Sequence, residues 1–266
     1  MAIACSTSAF RTPLDEALSN VTKLGFQHVD ILANPGWDHI NTDGLADDWR
    51  GTADRVARLL EEHALTPVAL NVAVGNLHER SEDANRDRER CLEGLTRLMS
   101  RLGIGLASFY PGFRADERRW ADVLRDTLAT WEEMKAVAAG QGVEFCIELH
   151  KNTPFETLRQ CTELLDSAPE MRIAYDPSHF VMQGMDVRET APLLERAAHV
   201  HLRDAAAEKM QEQCGRGSVD FAWLLDALED RHYAGHYSIE YLGGADWDVT
   251  DDILRLKEML EERSDG

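Results

Sequence analysis

The chain has 266 residues, of which 44% are hydrophobic and 7% aromatic, and its 28 basic and 48 acidic side chains give a net charge of −20. This length is enough for one large domain with a sizeable core, or for two small ones. A charge of this sign, spread along the whole sequence, repels phosphate backbones and anionic lipid, so we expect no binding to nucleic acid or membranes.

Other features of the whole chain favour a cytoplasmic protein. No apolar run approaches the roughly 20 residues needed to span a bilayer. Residues 1–10 lack the basic stretch followed by an apolar core that is typical of a signal peptide. The five cysteines are odd in number and widely scattered, and no two form a CxxC pair. This pattern argues against a disulfide framework or a structural zinc site and indicates a reducing compartment.

Eight short apolar runs alternate with eight amphipathic segments along the chain. The predicted strands are 3–5, 28–32, 68–72, 106–109, 145–149, 172–175, 199–202 and 237–241. The predicted helices are 13–24, 53–63, 86–102, 118–139, 155–167, 187–196, 221–229 and 253–262. This alternation predicts an α/β fold, a (β/α)8 TIM barrel that forms a single domain over residues 1–266. The competing fold, a doubly wound sheet, normally has a Gly-rich turn after its first strand, whereas residues 6–9 read Ser-Thr-Ser-Ala.

The fifth apolar run indicates which side chains point into the predicted barrel. Successive side chains along a strand point in opposite directions. The bulky apolar residues at 145, 147 and 149 share one face, which suits contact with the helices. Glu148 and His150 share the other face with the small Cys146, so we expect both to point into the barrel.

The same alternation predicts, at the C-terminal end of each of the last four strands, one inward-pointing side chain that is suited to metal binding. These side chains are Glu148, Asp176, His201 and Glu240. Strand ends of this kind form the active sites of TIM barrels. Taken singly, each is more often an ordinary polar residue at a strand end. Three carboxylates crowded at one mouth, however, raise one another's pKa unless a cation lies among them. We therefore predict one divalent metal ion, Mn²⁺ or Mg²⁺ first, with Co²⁺ and Zn²⁺ as alternatives.

Several further polar residues have the same inward direction. Arg203 follows His201 on the inner face, and His199 lies one layer deeper, where an orienting or structural role is expected. In the second strand, His28 and Asp30 point inward, and Asp30 either orients a ligand or is a satisfied polar residue.

Two loop features at the predicted mouth have two interpretations each. Trp37 and Trp247 either stack on a sugar or pack their own loops. The segment Gly-Arg-Gly-Ser at 215–218 is either a phosphate cradle or a plain turn before a helix capped by Asp220. In both cases the structural interpretation is the simpler one.

Five short motifs lie in order between about residues 143 and 244. They are Cys146-Ile-Glu148-Leu-His150, Tyr175-Asp176-Pro-Ser-His179-Phe180, His199-Val-His201-Leu-Arg203-Asp204, Gly215-Arg-Gly-Ser-Val-Asp220-Phe221 and Ser238-Ile-Glu240-Tyr241. Together they resemble the xylose-isomerase-like sugar phosphate isomerase/epimerase superfamily. In the first half, only the segment Gly25-Phe-Gln-His-Val-Asp30 is similar to the second strand of that family.

The resemblance implies a role for each matching residue. It implies that Glu148, Asp176, His201 and Glu240 bind one divalent ion, and that Glu148 and Glu240 also move the substrate proton. It further implies that His179, three residues after the aspartate, contacts substrate oxygens. One departure concerns the substrate: the family's epimerases carry a substrate-binding arginine six positions after the metal histidine, where this chain has Ala207. Arg203 and Arg216 are the candidate substitutes, and neither matches the position.

A site of this kind supports removal of a proton from carbon next to a carbonyl, through a metal-stabilised enediolate. Return of the proton to the other face gives an epimer, return to the neighbouring carbon gives an isomer, and loss of a β-hydroxyl gives a dehydrated product. We therefore predict a metal-dependent isomerase or epimerase of a small sugar or polyol carbonyl compound, with Glu148 and Glu240 as catalytic residues. His150, His179 and Arg203 are the predicted substrate-binding residues.

Three alternatives stay open at this point. The first is a metal-dependent dehydratase of a keto-sugar, inosose or dehydroshikimate-like substrate. The second is a non-catalytic metal-binding partner subunit. The third, nucleic-acid hydrolysis as in the apurinic endonucleases of the superfamily, is disfavoured by the charge of −20 and by too few histidines at the mouth. The sequence does not determine the oligomeric state; homodimers and tetramers are usual in the family that it resembles.

Overall fold

Every predicted strand coincides with or overlaps a strand of one parallel sheet in the computed structural model, which describes residues 2–264. The strands are β1 (Ile3–Ser6), β2 (His28–Asn34), β3 (Ile40–Asn41), β4 (Thr66–Val72), β5 (Leu106–Phe109), β6 (Glu144–Glu148), β7 (Ile173–Tyr175), β8 (Ala197–Leu202) and β9 (Tyr237–Ile239). Their order is β1-β9-β8-β7-β6-β5-β4-β2, and pairing of β1 with β2 closes the ring. The prediction of a (β/α)8 barrel is confirmed; β3 is a two-residue addition beside the end of β2.

Helices surround this barrel. They are α1 (Leu14–Lys23), α2 (Leu45–Glu62), α3 (Glu82–Leu102), α4 (Trp120–Ala138), α5 (Leu158–Ser167), α6 (Ser178–Val181), α7 (Phe221–Asp230) and α8 (Thr250–Ser264), with a 3₁₀ helix at Val187–Arg196. No helix within residues 2–264 combines the length and the apolar character that crossing a membrane requires.

Several helix bounds differ from the prediction, the largest difference being α2, which begins at Leu45 rather than at residue 53, and two other segments differ for identifiable local reasons. The segment predicted at 155–167 begins its helix at Leu158, because Thr157 and Gln160 cap each other's backbone amides. The segment at 187–196 is a 3₁₀ helix with Pro192 in its interior. Proline has no N–H to donate to the preceding turn, so this segment does not form a regular α-helix.

The inner layer of the barrel consists of small side chains below the mouth. Cys146, Ala174 and Ala198 pack together there, while Ile147 and Leu149 are fully buried in the core between sheet and helices. On β6 this division follows the predicted alternation along the strand, whereas Ala198 lies where the register between β7 and β8 shifts by one residue. The strands β7 and β9 end at Tyr175 and Ile239, so the acids directly after them lie at the C-terminal mouth.

Candidate functional site

Four side chains predicted from separate strands lie next to one another at the mouth of the barrel. Glu148, Asp176, His201 and Glu240 each offer an oxygen or nitrogen atom, and these atoms all lie within 4.8 Å of one another. All four residues are buried, with exposures of 4% or less. The Nδ1 atom of His201 is 2.9 Å from Oε1 of Glu148 and 3.2 Å from Oε2 of Glu240. The imidazole is therefore surrounded by carboxylate oxygens.

The electrostatics of this cluster indicate a shortage of positive charge. Burial raises the pKa of Asp176, and the neighbouring carboxylates Glu240 and Glu148 raise it further against the opposing effect of Arg203. Burial by itself would lower the pKa of His201, but nearby carboxylates raise it well above its usual value. Both shifts favour the protonated form, so a cation bound among these side chains would relieve the same excess of negative charge.

Arg203 lies within the cluster, buried with 2% exposure. Its Nη2 atom is 2.6 Å from Oδ2 of Asp176, its Nη1 atom is 3.4 Å from Oε2 of Glu240, and its Nε donates to Oγ of Ser178 at 2.9 Å. These contacts hold both acids in place. The guanidinium also borders the cavity at the mouth, as the predicted substrate-binding role requires.

The charges of the donor set fit one divalent ion. Glu148, Asp176 and Glu240 supply three carboxylates, and Arg203 neutralises one of them. Two negative charges are left beside a buried imidazole nitrogen, a mixture of hard oxygen donors and one nitrogen donor that suits Mn²⁺, Mg²⁺ or Zn²⁺. The residues present therefore fit the metal centre that the sequence predicted.

Asp30 forms a second, deeper layer behind this cluster. Its Oδ2 atom is 2.9 Å from Nε2 of His199 and 3.3 Å from Nε2 of His201. Burial would raise the pKa of Asp30, but these two imidazoles hold it below its usual value. When a histidine binds a metal through one ring nitrogen, a carboxylate that contacts its other ring nitrogen fixes the orientation and tautomer of the ring. Asp30 and His199 thus have the orienting arrangement that their inward direction suggested.

We expect Asp30→Asn to lower the affinity of the protein for Mn²⁺ by about 10- to 100-fold, because the amide no longer holds the ring of His201 through a charged contact. Isothermal titration calorimetry measures the affinity. Asp15→Asn is the matched control, since Asp15 forms a similar 2.7 Å pair with His63 outside the barrel. Equal affinities of Asp30→Asn and the wild type would contradict an orienting role.

The raised pKa of His201 predicts that metal binding releases a proton. The ion-free imidazole is protonated at neutral pH, so Mn²⁺ must displace that proton, and binding should tighten from about pH 6 to about pH 8. The same protonation stabilises the ion-free fold fully below the unfolded pKa of about 6.5, and this stabilisation is lost as the pH rises through the higher folded value. Calorimetry in buffers of different ionisation enthalpy counts the proton.

The control for this measurement is His63→Gln, which removes an imidazole outside the barrel and should leave the proton release unchanged. A binding heat that does not depend on the buffer near pH 7 would contradict the prediction.

The two further histidines of the sequence prediction lie beside the cluster. The rings of His150 and His179 are 3.7 Å apart between centroids. His150 is half-buried and lines the mouth cavity, where a substrate has access to it. His179 is 1% exposed and has its Nε2 atom 3.1 Å from Nη2 of Arg203 and 3.5 Å from Oδ2 of Asp176. Burial and the neighbouring cations lower its pKa well below the usual value, so the ring is neutral.

The cluster opens onto a cavity of about 490 Å³ at the mouth. Its wall includes Asn71, whose Nδ2 donates to Oε1 of Glu240 at 2.7 Å, and the aromatic residues Tyr110 and Phe113. Phe113 is 69% exposed, a large apolar side chain at the rim. None of these three residues was predicted from the sequence, although Asn71 has the inward direction within its predicted strand.

The two tryptophans of the predicted mouth have different surroundings. Trp37 lines the cavity, and its buried Nε1 atom has no hydrogen-bond partner within the described chain. Trp247 instead donates from Nε1 to Oδ2 of Asp252 at 2.6 Å and packs against the core. Trp37 is therefore placed where it could stack on a bound sugar, while Trp247 packs within its own part of the structure.

The glycine-containing loop after β8 is organised around an acid rather than open to phosphate. The carboxylate of Asp204 accepts hydrogen bonds from the backbone N–H groups of Gly215, Gly217 and Val219 at 2.8, 3.0 and 3.3 Å. These amides already have a partner, and Asp220 caps α7 as predicted. The turn interpretation fits this geometry. Arg216 is exposed and does not line the mouth cavity.

Comparison with known proteins identifies the family. The family model described as xylose isomerase-like TIM barrel matches residues 18–262, nearly the whole chain. The chain therefore belongs to the xylose isomerase-like TIM-barrel family, and the resemblance inferred from the five motifs is confirmed.

Three similar proteins illustrate the range of this family. An inosose dehydratase from Clostridium perfringens is 26% identical over 129 residues, which are 41% of this chain and 43% of the dehydratase. The match thus spans less than half the length of that relative. A D-tagatose 3-epimerase-like protein of known structure has a TM-score of 0.78 at 16% identity and covers 98% of this chain and 96% of its own. The structure of the IOLI protein with a binding zinc atom has a TM-score of 0.73 at 17% identity, and the match covers 98% of this chain and 97% of that protein.

Proposed function

We propose that the chain is a divalent-metal-dependent isomerase or epimerase that acts on a small sugar or polyol carbonyl compound. The observation that carries this proposal is the convergence of Glu148, Asp176, His201 and Glu240 at the mouth of the barrel. The epimerase-like structural neighbour supports it at the level of the fold. A divalent ion held by these residues would polarise the substrate carbonyl and stabilise the negative charge that develops on its oxygen.

The residues of the chain supply the proton transfers. Glu148 borders the mouth cavity. In the ion-free site the hydrogen bond and charge of His201 lower the pKa of Glu148 to about 2 against the opposing effect of burial. A bound divalent cation would replace the charge of His201 and keep the carboxylate ionised, so that it can accept a proton from carbon. Glu240 borders the same cavity, with Oε1 held by Asn71 at 2.7 Å. One carboxylate takes the proton and the other returns it. His150 and Arg203, at the same cavity, are in position to bind substrate oxygens.

The test is exchange of a substrate C–H proton with D₂O. Protein loaded with Mn²⁺ or Mg²⁺ is incubated with a panel of ketoses, inososes and keto-sugars, and exchange is followed by NMR. We expect exchange at the carbon next to the carbonyl of at least one compound. Absence of exchange across the panel would overturn the proposal.

A dehydratase is the second candidate, and the similarity to an inosose dehydratase favours it. The same first proton transfer is then followed by loss of a β-hydroxyl group as water. A new ultraviolet-absorbing enone or enol product, formed together with the exchange, identifies this outcome. An epimer or an isomer without such absorbance identifies the first candidate.

A further inference from the structure

Arg11 is an unpaired cation at the rim of the mouth cavity. The residue is exposed, follows β1 and lines the same cavity as Glu148 and Glu240. Within residues 2–264 its guanidinium has no hydrogen-bond or ion-pair partner. Arg203, on the wall of the same cavity, contrasts with it because it contacts two carboxylates. Arg11 is therefore free to bind an anion that enters the cavity.

The side chain of Arg11 lies across two glycines. A Cβ atom on Gly244 would lie 2.8 Å from Cζ of Arg11, and one on Gly243 would lie 3.4 Å from its Cγ. Gly244 also has a φ of +85°, which favours glycine. A side chain at Gly244 would displace the guanidinium, whereas one at Gly243 would first clash with the carbonyl oxygen of Ala9, 2.5 Å from the added Cβ. Gly244 therefore leaves room for the arginine, and Gly243 allows the loop after β1 to approach closely.

Backbone contacts fix the two loops that hold this arginine. The N–H of Gly243 donates to the carbonyl oxygen of Ser8 at 3.0 Å. The hydroxyl of Ser8 lies 3.4 Å from the carbonyl oxygen of Tyr241 and donates to it. The loop after β1 and the loop after β9 are thus joined at the rim, and Arg11 lies where they meet.

The charges around the cavity determine what kind of group Arg11 can bind. When a divalent ion balances the two uncompensated charges of the metal cluster, Arg11 is the remaining unpaired charge among the side chains that line the cavity. The rest of the wall is largely apolar or aromatic and includes Leu32, Trp37 and Tyr110. A positive charge here opposes the net charge of −20 of the whole chain and so provides a local attraction for an anion.

We infer that the substrate carries an anionic group, a carboxylate or a phosphate, at the end away from its reacting carbon, and that Arg11 binds this group. Both groups present oxygen atoms that the fork of an arginine contacts through two hydrogen bonds. The inference rests on the proposed function, because it assumes that the reacting end lies at the metal cluster. It names the substrate class as an acidic polyol or sugar rather than a neutral one.

Two pairs of small molecules test the inference by calorimetric binding to Mn²⁺-loaded protein. Shikimate and its methyl ester differ in a carboxylate charge, and D-fructose 6-phosphate and D-fructose differ in a phosphate. We expect the charged member of at least one pair to bind about tenfold or more tightly than its neutral partner. The pair that shows this preference tells carboxylate from phosphate.

Arg11→Gln should remove the preference and leave the binding of the neutral member unchanged, whereas Arg11→Lys should keep part of it. Arg216→Gln is the matched control, because Arg216 is exposed and lies outside the cavity. Equal or undetectable binding of charged and neutral members, or a preference that survives in Arg11→Gln, would overturn the inference.

The proton-exchange assay separates this result from the proposed function. Exchange on neutral ketoses without any advantage for charged compounds overturns the inference and leaves the isomerase proposal standing. A preference for the charged member that depends on Arg11, with no exchange on any compound, supports the anion site and overturns the isomerase proposal.

Discussion

Replacing Glu148 by glutamine is expected to lower the rate of substrate proton exchange by about 10²- to 10⁴-fold, the usual contribution of a positioned acid or base. The amide of glutamine cannot accept the proton. The substitution also removes one of the carboxylates that lie within 4.8 Å of His201. Glu240→Gln should have an effect of the same order, because Glu240 borders the same cavity. NMR exchange in D₂O measures the rate, and calorimetry measures the accompanying loss of Mn²⁺ affinity.

The matched control lies on the same strand. Glu144 begins β6 at the opposite end of the barrel, where its partly exposed carboxylate is 3.4 Å from Arg172. Exposed pairs of this kind contribute little to stability, so Glu144→Gln should keep wild-type exchange. A rate for Glu148→Gln within twofold of the wild type would show that this carboxylate moves no proton.

The barrel was predictable because its signal is carried by many residues at once. Each strand is a short apolar run, and each neighbouring helix has an apolar face, so a local error leaves the alternation intact. Positions such as Ile147, buried among helices, and Cys146, in the small inner layer, follow from the alternation of side chains along one strand. Helix starts were harder to predict, because a mutual cap such as that of Thr157 and Gln160 depends on a few local hydrogen bonds.

The candidate site was predictable where a residue ends a strand and not where it lies in a loop. Glu240 follows from the end of its strand, and its metal-binding role stays a prediction. The carboxylate of Asp204 had no such signal, because its partners are backbone amides of the following loop. Arg11 had none either, since only the closed barrel brings the first and last loops together.

Removing the metal ion is expected to abolish activity and lower the stability of the fold. Without an ion, Arg203 and the protonated imidazole of His201 balance two of the three buried carboxylates, and one negative charge stays uncompensated, which raises the pKa of Asp176. Adding Mn²⁺ at about 100 times its Kd should stabilise the protein by about 2.7 kcal/mol, because the ion binds only the folded state. Thermal unfolding of chelated and reloaded protein, together with proton exchange, measures both effects.

Asp176→Asn separates the loss of the ion from general damage to the barrel. The carboxylate of Asp176 is 2.6 Å from Arg203 and belongs to the metal cluster, so its amide variant should lose most of the stabilisation by Mn²⁺. The amide oxygen of the variant can still accept a hydrogen bond from Arg203, which also keeps its contact with Glu240 at 3.4 Å, so the variant should remain folded in the absence of Mn²⁺. Stabilisation by Mn²⁺ without proton exchange on any compound would instead indicate a metal-binding partner subunit. Full activity after chelation would contradict the metal centre itself.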